Sequence, residues 1–300
     1  LNQRKEKGGL HLFNRKSGTH ILLDELNFSE NEISKSPRTI SIAVTNVCNL
    51  NCPFCYAPKN HNSLPLDFLK NAVKEFDKLK VFEITIGGGE PFAYPNLVEF
   101  CKWTWENTKL GINITTNGQL LNENIISDLE GYISSIRISI EAIGAKYSKV
   151  RGASFSKIQA SINSLKGKIP MSINCVVLKN NVDNLIEVIE FAMKNSIYDV
   201  LIIAEHNKGL SVLDEKELHK IENIILEYKD KIQLTLTDEL AKLLDINILS
   251  DGDTEEYGFA HLSSDKKIKQ NSFAIDGIKI NDISDIKDAF IKLYKNKEVV

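Results

Sequence analysis

Between residues 39 and 205 six short β-patterned runs alternate with five helical ones, and that order leaves few folds open. The β-type runs are 39–45, 81–86, 111–116, 135–141, 171–178 and 199–205, and the helical ones are 65–80, 95–108, 122–130, 154–166 and 182–195. A strand, a helix and a further strand in sequence imply parallel pairing through a right-handed crossover. Repeated in this way, the unit predicts an α/β chain with a barrel of β/α units. In such a barrel the chemistry belongs at the C-terminal strand ends, which is where the unusual residues of this chain fall.

The first strand runs directly into Cys48, Cys52 and Cys55, spaced C-x3-C-x2-C. One short loop thus supplies three thiolates. A [4Fe–4S] cube is usually held by four cysteines, so three leave one iron open to a further ligand. A structural zinc site needs a fourth Cys or His, for which the nearest candidate is His61. After the second strand comes Gly87-Gly88-Gly89-Glu90-Pro91, where missing Cβ atoms let backbone approach a ligand closely. The third strand ends at Asn117-Gly118, a turn signal. On the fourth, period-two geometry puts Arg137, Ser139 and Glu141 on one face, with isoleucines opposite, packed under the helices. Arginine and glutamate inside a barrel need partners, and an Arg137–Glu141 ion pair is one solution. On the fifth strand Asn174 and Val176 share the inward face and Cys175 points to the helical layer. His206 follows the sixth strand, on the same rim.

These motifs resemble the radical S-adenosylmethionine (SAM) superfamily, strongly over residues 39–206. The resemblance implies a partial (β/α)6 TIM barrel, one [4Fe–4S] cluster on Cys48, Cys52 and Cys55, and SAM chelating the open iron. It also implies reductive cleavage of SAM to methionine and a 5′-deoxyadenosyl radical, which takes a hydrogen atom from the substrate. By the same resemblance Phe54 and the backbone of Tyr56 lie near the adenine. Gly88, Gly89 and Glu90 form the "GGE" motif that receives the SAM amino group. Asn117, Ser139, Asn174 and Val176 border the cofactor, and Arg151, in an Arg-Gly pair common in peptide-modifying members, meets the SAM carboxylate. Glu141, where the family more often has aspartate, and His206 are the candidate catalytic groups. An external electron donor of flavodoxin or ferredoxin type is implied as well. A ribosomal peptide or protein side chain is the expected substrate. The alternatives are a small metabolite such as a nucleotide or sugar, and a non-catalytic scaffold for SAM and cluster. A simple electron carrier would need neither an open iron nor a barrel.

Composition excludes other classes. A net charge of −3 gives no reason to expect nucleic acid. No apolar stretch approaches the roughly 20 residues of a membrane helix. Five cysteines, odd in number and clustered, argue against a secreted disulfide framework and for a reducing cytoplasm. Outside the core of 39–208, residues 1–38 read as an extension built on a hairpin over 10–23, which covers the barrel bottom or starts a substrate clamp. That length is too short for a separate winged peptide-binding domain. Residues 209–300 read as a small α+β extension: helix 213–230, strand 231–236, helix 237–245, then strands between Tyr257 and Ile280. The latter resemble the hairpin that carries auxiliary clusters in many maturases, but no cysteine follows Cys175. The acidic run 250–256 lacks the spacing of a calcium loop.

Overall fold

The computed structural model describes residues 1–179, 181–207, 210–211, 213–244, 246 and 257–295, with the side chains of His206, Asn207, Leu210, Ser211 and Lys295 left out. The acidic run 250–256 lies outside the described residues. An N-terminal antiparallel meander comprises β1 (Asn2–Glu6), β2 (Gly9–Asn14) and β3 (Thr19–Leu23). The core strands are β4 (Thr39–Thr45), β5 (Glu83–Gly88), β6 (Gly111–Thr116), β7 (Ser135–Ser139), β8 (Met171–Val177) and β9 (Asp199–Ala204). All six pair in parallel, in chain order. Between them run α1 (Leu66–Lys78), α2 (Leu97–Asn107), α3 (Glu123–Leu129), α4 (Ala145–Arg151), α5 (Phe155–Leu165) and α6 (Asn184–Lys194). The expected partial (β/α)6 barrel is present.

The sheet is larger than six strands. A two-residue ladder joins β10 (His206–Asn207) to β11 (Leu210–Ser211), and α7 (Glu215–Tyr228) leads to β12 (Gln233–Leu236), which pairs in parallel with β9. After α8 (Asp238–Leu243), β13 (Phe259–Leu262) returns to the opposite edge and pairs in parallel with β4. The strands β14 (Lys267–Lys269) and β15 (Ile278–Lys279) complete that edge, and α9 (Asp285–Lys295) packs against them. Residues after 209 therefore extend the sheet at both edges.

Alternation along each strand separates the two faces. Ile40, Ile42, Ile84, Ile86, Ile112, Ile114, Ile136, Ile138, Ile173 and Ile202 are wholly buried. Leu69, Ala72, Val73 and Phe76, at helical spacing on α1, belong to the same core. Cys101 and Cys175 are buried core residues too. The intervening positions, among them Ser41, Thr85, Asn113, Arg137, Ser139, Asn174 and Val176, line an interior cavity of about 910 Å³.

The meander covers the N-terminal end of this barrel, and β1 is a strand that local alternation did not reveal. Phe13 of β2 is buried, stacks on Phe82 with centroids 5.3 Å apart, and lies where a Cβ on Gly111 would come within 2.7 Å of its ring. The Arg4 guanidinium donates to the carbonyls of Ser36 (2.7 Å), Pro37 (3.0 Å) and Lys80 (3.2 Å). A chain of titratable groups also crosses the seam. Glu83, in the cavity wall, meets His20 Nε2 at 3.5 Å; His20 Nδ1 meets His11 Nε2 at 3.1 Å; His11 Nδ1 meets Glu6 at 3.2 Å.

Candidate active site

The loop leaving β4 is tied at its neck before it presents a cysteine. Asn46 N–H donates to the Asn62 carbonyl (2.8 Å), the Thr45 and Ser63 hydroxyls share a hydrogen bond (2.7 Å), and Asn46 Nδ2 donates to Asn60 Oδ1 (2.9 Å). The glycine run clamps the same segment from the side. Gly89 N–H donates to the Thr45 carbonyl at 2.7 Å and Glu90 N–H to the Val47 carbonyl at 2.9 Å. Gly88 holds φ +125°, and a Cβ there would sit 2.2 Å from Thr45 O; one on Gly89 would sit 2.4 Å from Val47 O. The contact that requires these two glycines to lack a side chain is thus with the cysteine loop.

Cys48, Cys52 and Cys55 all line the interior cavity. Among the described residues no three Cys, His, Asp or Glu side chains converge as ligands of a single metal ion, and His61 is exposed. Three thiols from one loop, without a fourth Cys or His beside them among the described residues, are a donor set that fits an iron–sulfur cluster with one iron left open. N–H groups surround the sulfurs: Leu50 N lies 3.4 Å and Asn117 Nδ2 3.8 Å from Cys48 Sγ, and Arg151 Nη1 lies 3.9 Å from Cys52 Sγ. Burial pushes the Cys48 and Cys52 thiols up, and Arg151 pulls Cys52 the other way.

Glu90 is fully buried. Its carboxylate accepts from Phe92 N (3.1 Å), Thr116 Oγ1 (2.7 Å) and Asn117 N (2.8 Å). Burial nonetheless holds this carboxyl above its ordinary value. Those bonds join the glycine turn to the end of β6. Asn117 completes the link, with its amide donating to Asn49 Oδ1 at 2.8 Å.

Sequence alternation placed Glu141 inside the barrel with Arg137, and that ion pair does not form. Strand β7 stops at Ser139, so the period-two rule no longer governs Glu141. Its carboxylate turns instead to the last turn of α4 and is gripped bidentately by Arg151. Helix α4 escaped sequence reading because Ala-Lys-Tyr-Ser-Lys-Val-Arg is short and mostly polar; it ends at Gly152, with φ +69°. The side chain of Glu141 is wholly buried and that of Arg151 nearly so. Burial pulls the Arg151 guanidinium down, but the Glu141 charge outweighs it and the net direction is upward. The Arg151 Cζ also lies 5.4 Å from the centre of the Phe54 ring. Arg137 pairs with Asp199 (3.1 Å) and donates to Asn174 Oδ1 (3.3 Å), while Thr235 Oγ1 donates to Asp199 (2.7 Å).

The remaining expected site residues fall as follows. Phe54, Gly88, Gly89, Ser139, Arg151, Asn117, Asn174 and Val176 line the cavity with the cysteines. Tyr56 lies there too, exposed, with its ring 4.4 Å from that of Phe273 in the β14–β15 loop. The backbone of His206 pairs with Ser211, and its side chain lies outside the described residues. Sequence reading missed Glu83, Asp199 and Glu205 as cavity residues. Inward alternation along β5 and β9 was the available signal for the first two.

A model of the Radical SAM superfamily matches residues 42–192. An uncharacterized protein of Methanocaldococcus jannaschii is 30% identical over 220 residues, covering 63% of this chain and 76% of that protein. A probable GTP 3′,8-cyclase of the same organism is 25% identical over 218 residues, covering 68% and 71%. Streptococcus suis SuiB, solved with its precursor peptide SuiA, superposes with a TM-score of 0.79 over 100% of this chain and 89% of that one, at 18% identity. The enzyme anSMEcpe, solved with AdoMet and a peptide, gives a TM-score of 0.64 over 88% and 82%, also at 18% identity.

Proposed function

The chain belongs to the Radical SAM superfamily, and from that premise we propose that it modifies a side chain of a ribosomal peptide or protein, using one cluster on Cys48, Cys52 and Cys55. Cys48, Cys52 and Cys55 would hold the cluster, which when bound would supply the electron for reductive cleavage of SAM and so the chemistry of hydrogen-atom abstraction. The chain's own residues hold and shape that site. Gly88 and Gly89 fix the path of the cysteine loop. Asn117, Leu50 and Arg151 direct N–H groups at the sulfurs, and Arg151 also covers Phe54. Ser139, Asn174 and Val176 form the wall for the nucleoside part of SAM, and the backbone of Tyr56 borders its adenine. Within the GGE turn, Gly88 and Gly89, which line the cavity, would receive the SAM amino group. Arg151 serves the SAM carboxylate with those N–H bonds that Glu141 leaves free. An external low-potential donor, of flavodoxin or ferredoxin type, delivers the electron.

The observation that carries this reading is that the three thiols of the loop after β4 all line the interior cavity. A peptide substrate is favoured by the likeness to SuiB, a fold match that runs the whole length of this chain, beyond the shared core. The likeness to GTP 3′,8-cyclases supports a nucleotide as second reading. Anaerobic reconstitution should load close to four irons per chain, and SAM with dithionite should then yield 5′-deoxyadenosine. Cys52→Ala should abolish both. Full iron loading in that variant, or zinc without iron in the parent, overturns the proposal. Several-fold stimulation of 5′-deoxyadenosine formation by GTP, with none by peptides, shifts it to the nucleotide.

A further inference from the structure

The end of β9 contributes Ile203 and Ala204 to the cavity lining as an apolar stretch. Phe273, from the β14–β15 loop, lines the same cavity and packs against Tyr56. One charged side chain, Glu205, lines the cavity just past β9. Its backbone is fixed, because Glu205 N–H donates to the Val177 carbonyl at 3.0 Å. Its carboxylate accepts one bond among the described residues, from the Lys179 backbone N–H at the long distance of 3.5 Å.

The other charged side chains of the lining are answered from within the protein. Arg137 has Asp199 at 3.1 Å. Arg151 has Glu141. Glu83 receives Asn113 Nδ2 at 2.8 Å and Thr39 Oγ1 at 3.3 Å, besides His20. Glu205 is half-buried and has no such partner among the described residues. A carboxylate withdrawn from water gains most from a charge-assisted donor. Next to an apolar stretch, the fitting donor is a cation on a hydrocarbon stem. Glu141, the other carboxylate that alternation directs into the barrel, is already occupied by Arg151.

We propose that Glu205 receives the ammonium or guanidinium group of the substrate, whose alkyl stem lies on Ile203 and Ala204. The substrate side chain is then lysine- or arginine-like, which rests on the peptide reading above and narrows it.

The test uses cluster-loaded, SAM-bound protein at low salt and equilibrium dialysis of five probes, one of them Ac-Ala-Glu-Ala-NH2. Two are the tripeptides Ac-Ala-Lys-Ala-NH2 and its norleucine counterpart, and two are hexylamine and hexanol. The parent should bind the lysine tripeptide about tenfold more tightly than the norleucine one, a difference of the size expected for one charge-assisted bond. Glu205→Gln should reduce that preference to below about twofold, with SAM affinity and cluster absorbance unchanged. Glu205→Lys should reverse it in favour of Ac-Ala-Glu-Ala-NH2, which keeps the test open if the glutamine variant folds poorly. A parent without lysine preference for either probe pair, or a preference that survives in Glu205→Gln, overturns the proposal. Tenfold weaker SAM binding in Glu205→Gln also overturns it, by assigning Glu205 to the cofactor. A Glu205-dependent preference for hexylamine over hexanol, with neither tripeptide bound, upholds the role of Glu205 and removes the peptide reading instead.

Discussion

The guanidinium of Arg151 is forked onto the carboxylate of Glu141, and a third of its nitrogens faces the Cys52 sulfur. The pair therefore ties the end of α4 to the cysteine loop. Taking one partner from a buried pair leaves an uncompensated charge and costs about 3–5 kcal/mol. Glu141→Ala should lower the unfolding free energy by about that amount, and Glu141→Ala with Arg151→Ala should cost less than Glu141→Ala alone. Denaturant unfolding of the three variants measures this. Native stability in Glu141→Ala, together with lost product formation, would return Glu141 to a substrate role.

Gly89→Ala should lower iron loading by more than half while leaving the barrel folded. Its new Cβ would fall 2.4 Å from Val47 O and 2.5 Å from Asn46 O, backbone atoms that can yield only by moving the loop. Gly87→Ala is the control, since a Cβ there meets nothing within 4 Å. Iron assay and circular dichroism on both variants decide the matter. Equal loading in the two would remove the clamp.

Asn117→Ala removes an N–H directed at Cys48 Sγ and the bond to Asn49. Hydrogen bonds to cluster sulfurs help set reduction potential, and losing one disfavours the reduced, more negative state. An electron paramagnetic resonance titration should show the variant's potential shifted negative of the parent's. A positive or absent shift contradicts the assignment.

Acid should loosen the seam beneath the barrel. Burial pushes Glu83 and Glu6 up, but their hydrogen bonds and charges, led in each case by a histidine, bring both below the ordinary 4.5. A carboxyl depressed in the folded state contributes stability that is present above its ordinary value and lost as pH falls through the folded one. The melting temperature should therefore decline below about pH 4.5. Glu83→Gln should flatten that decline, as differential scanning fluorimetry across pH 3–7 would show. A decline as steep in the variant as in the parent counts against the seam.

The parts legible in the sequence were those with local grammar. Isoleucines at 40, 42, 84 and 86 mark buried faces by period, and Cys48, Cys52 and Cys55 mark the site by spacing. What stayed hidden depends on distance or on where an element stops. The pairing of Thr39–Ile42 with Phe259–Leu262 joins segments far apart in the chain, and nothing local announces it. The partner of Glu141 turned on β7 ending two residues before it and on a seven-residue helix with no apolar rhythm. Glu90 reads by motif as a ligand for a cofactor; only the structure shows three protein donors on its carboxylate.

The clamped neck of the cysteine loop has a consequence for assembly. In small zinc domains the metal organises the chain, and the free energy of binding is also that of folding. Here Gly89, Glu90, Asn62 and Ser63 hold the backbone on either side of Thr45–Val47 through bonds made by protein alone. The conformational entropy of ordering that segment falls to the barrel, not to iron and sulfide. Oxygen or a chelator that strips the metal should leave a folded receptacle that still melts cooperatively, at a lower temperature than the loaded protein because the cluster binds only the folded form. Refilling it then needs iron, sulfide and reductant, with no refolding step.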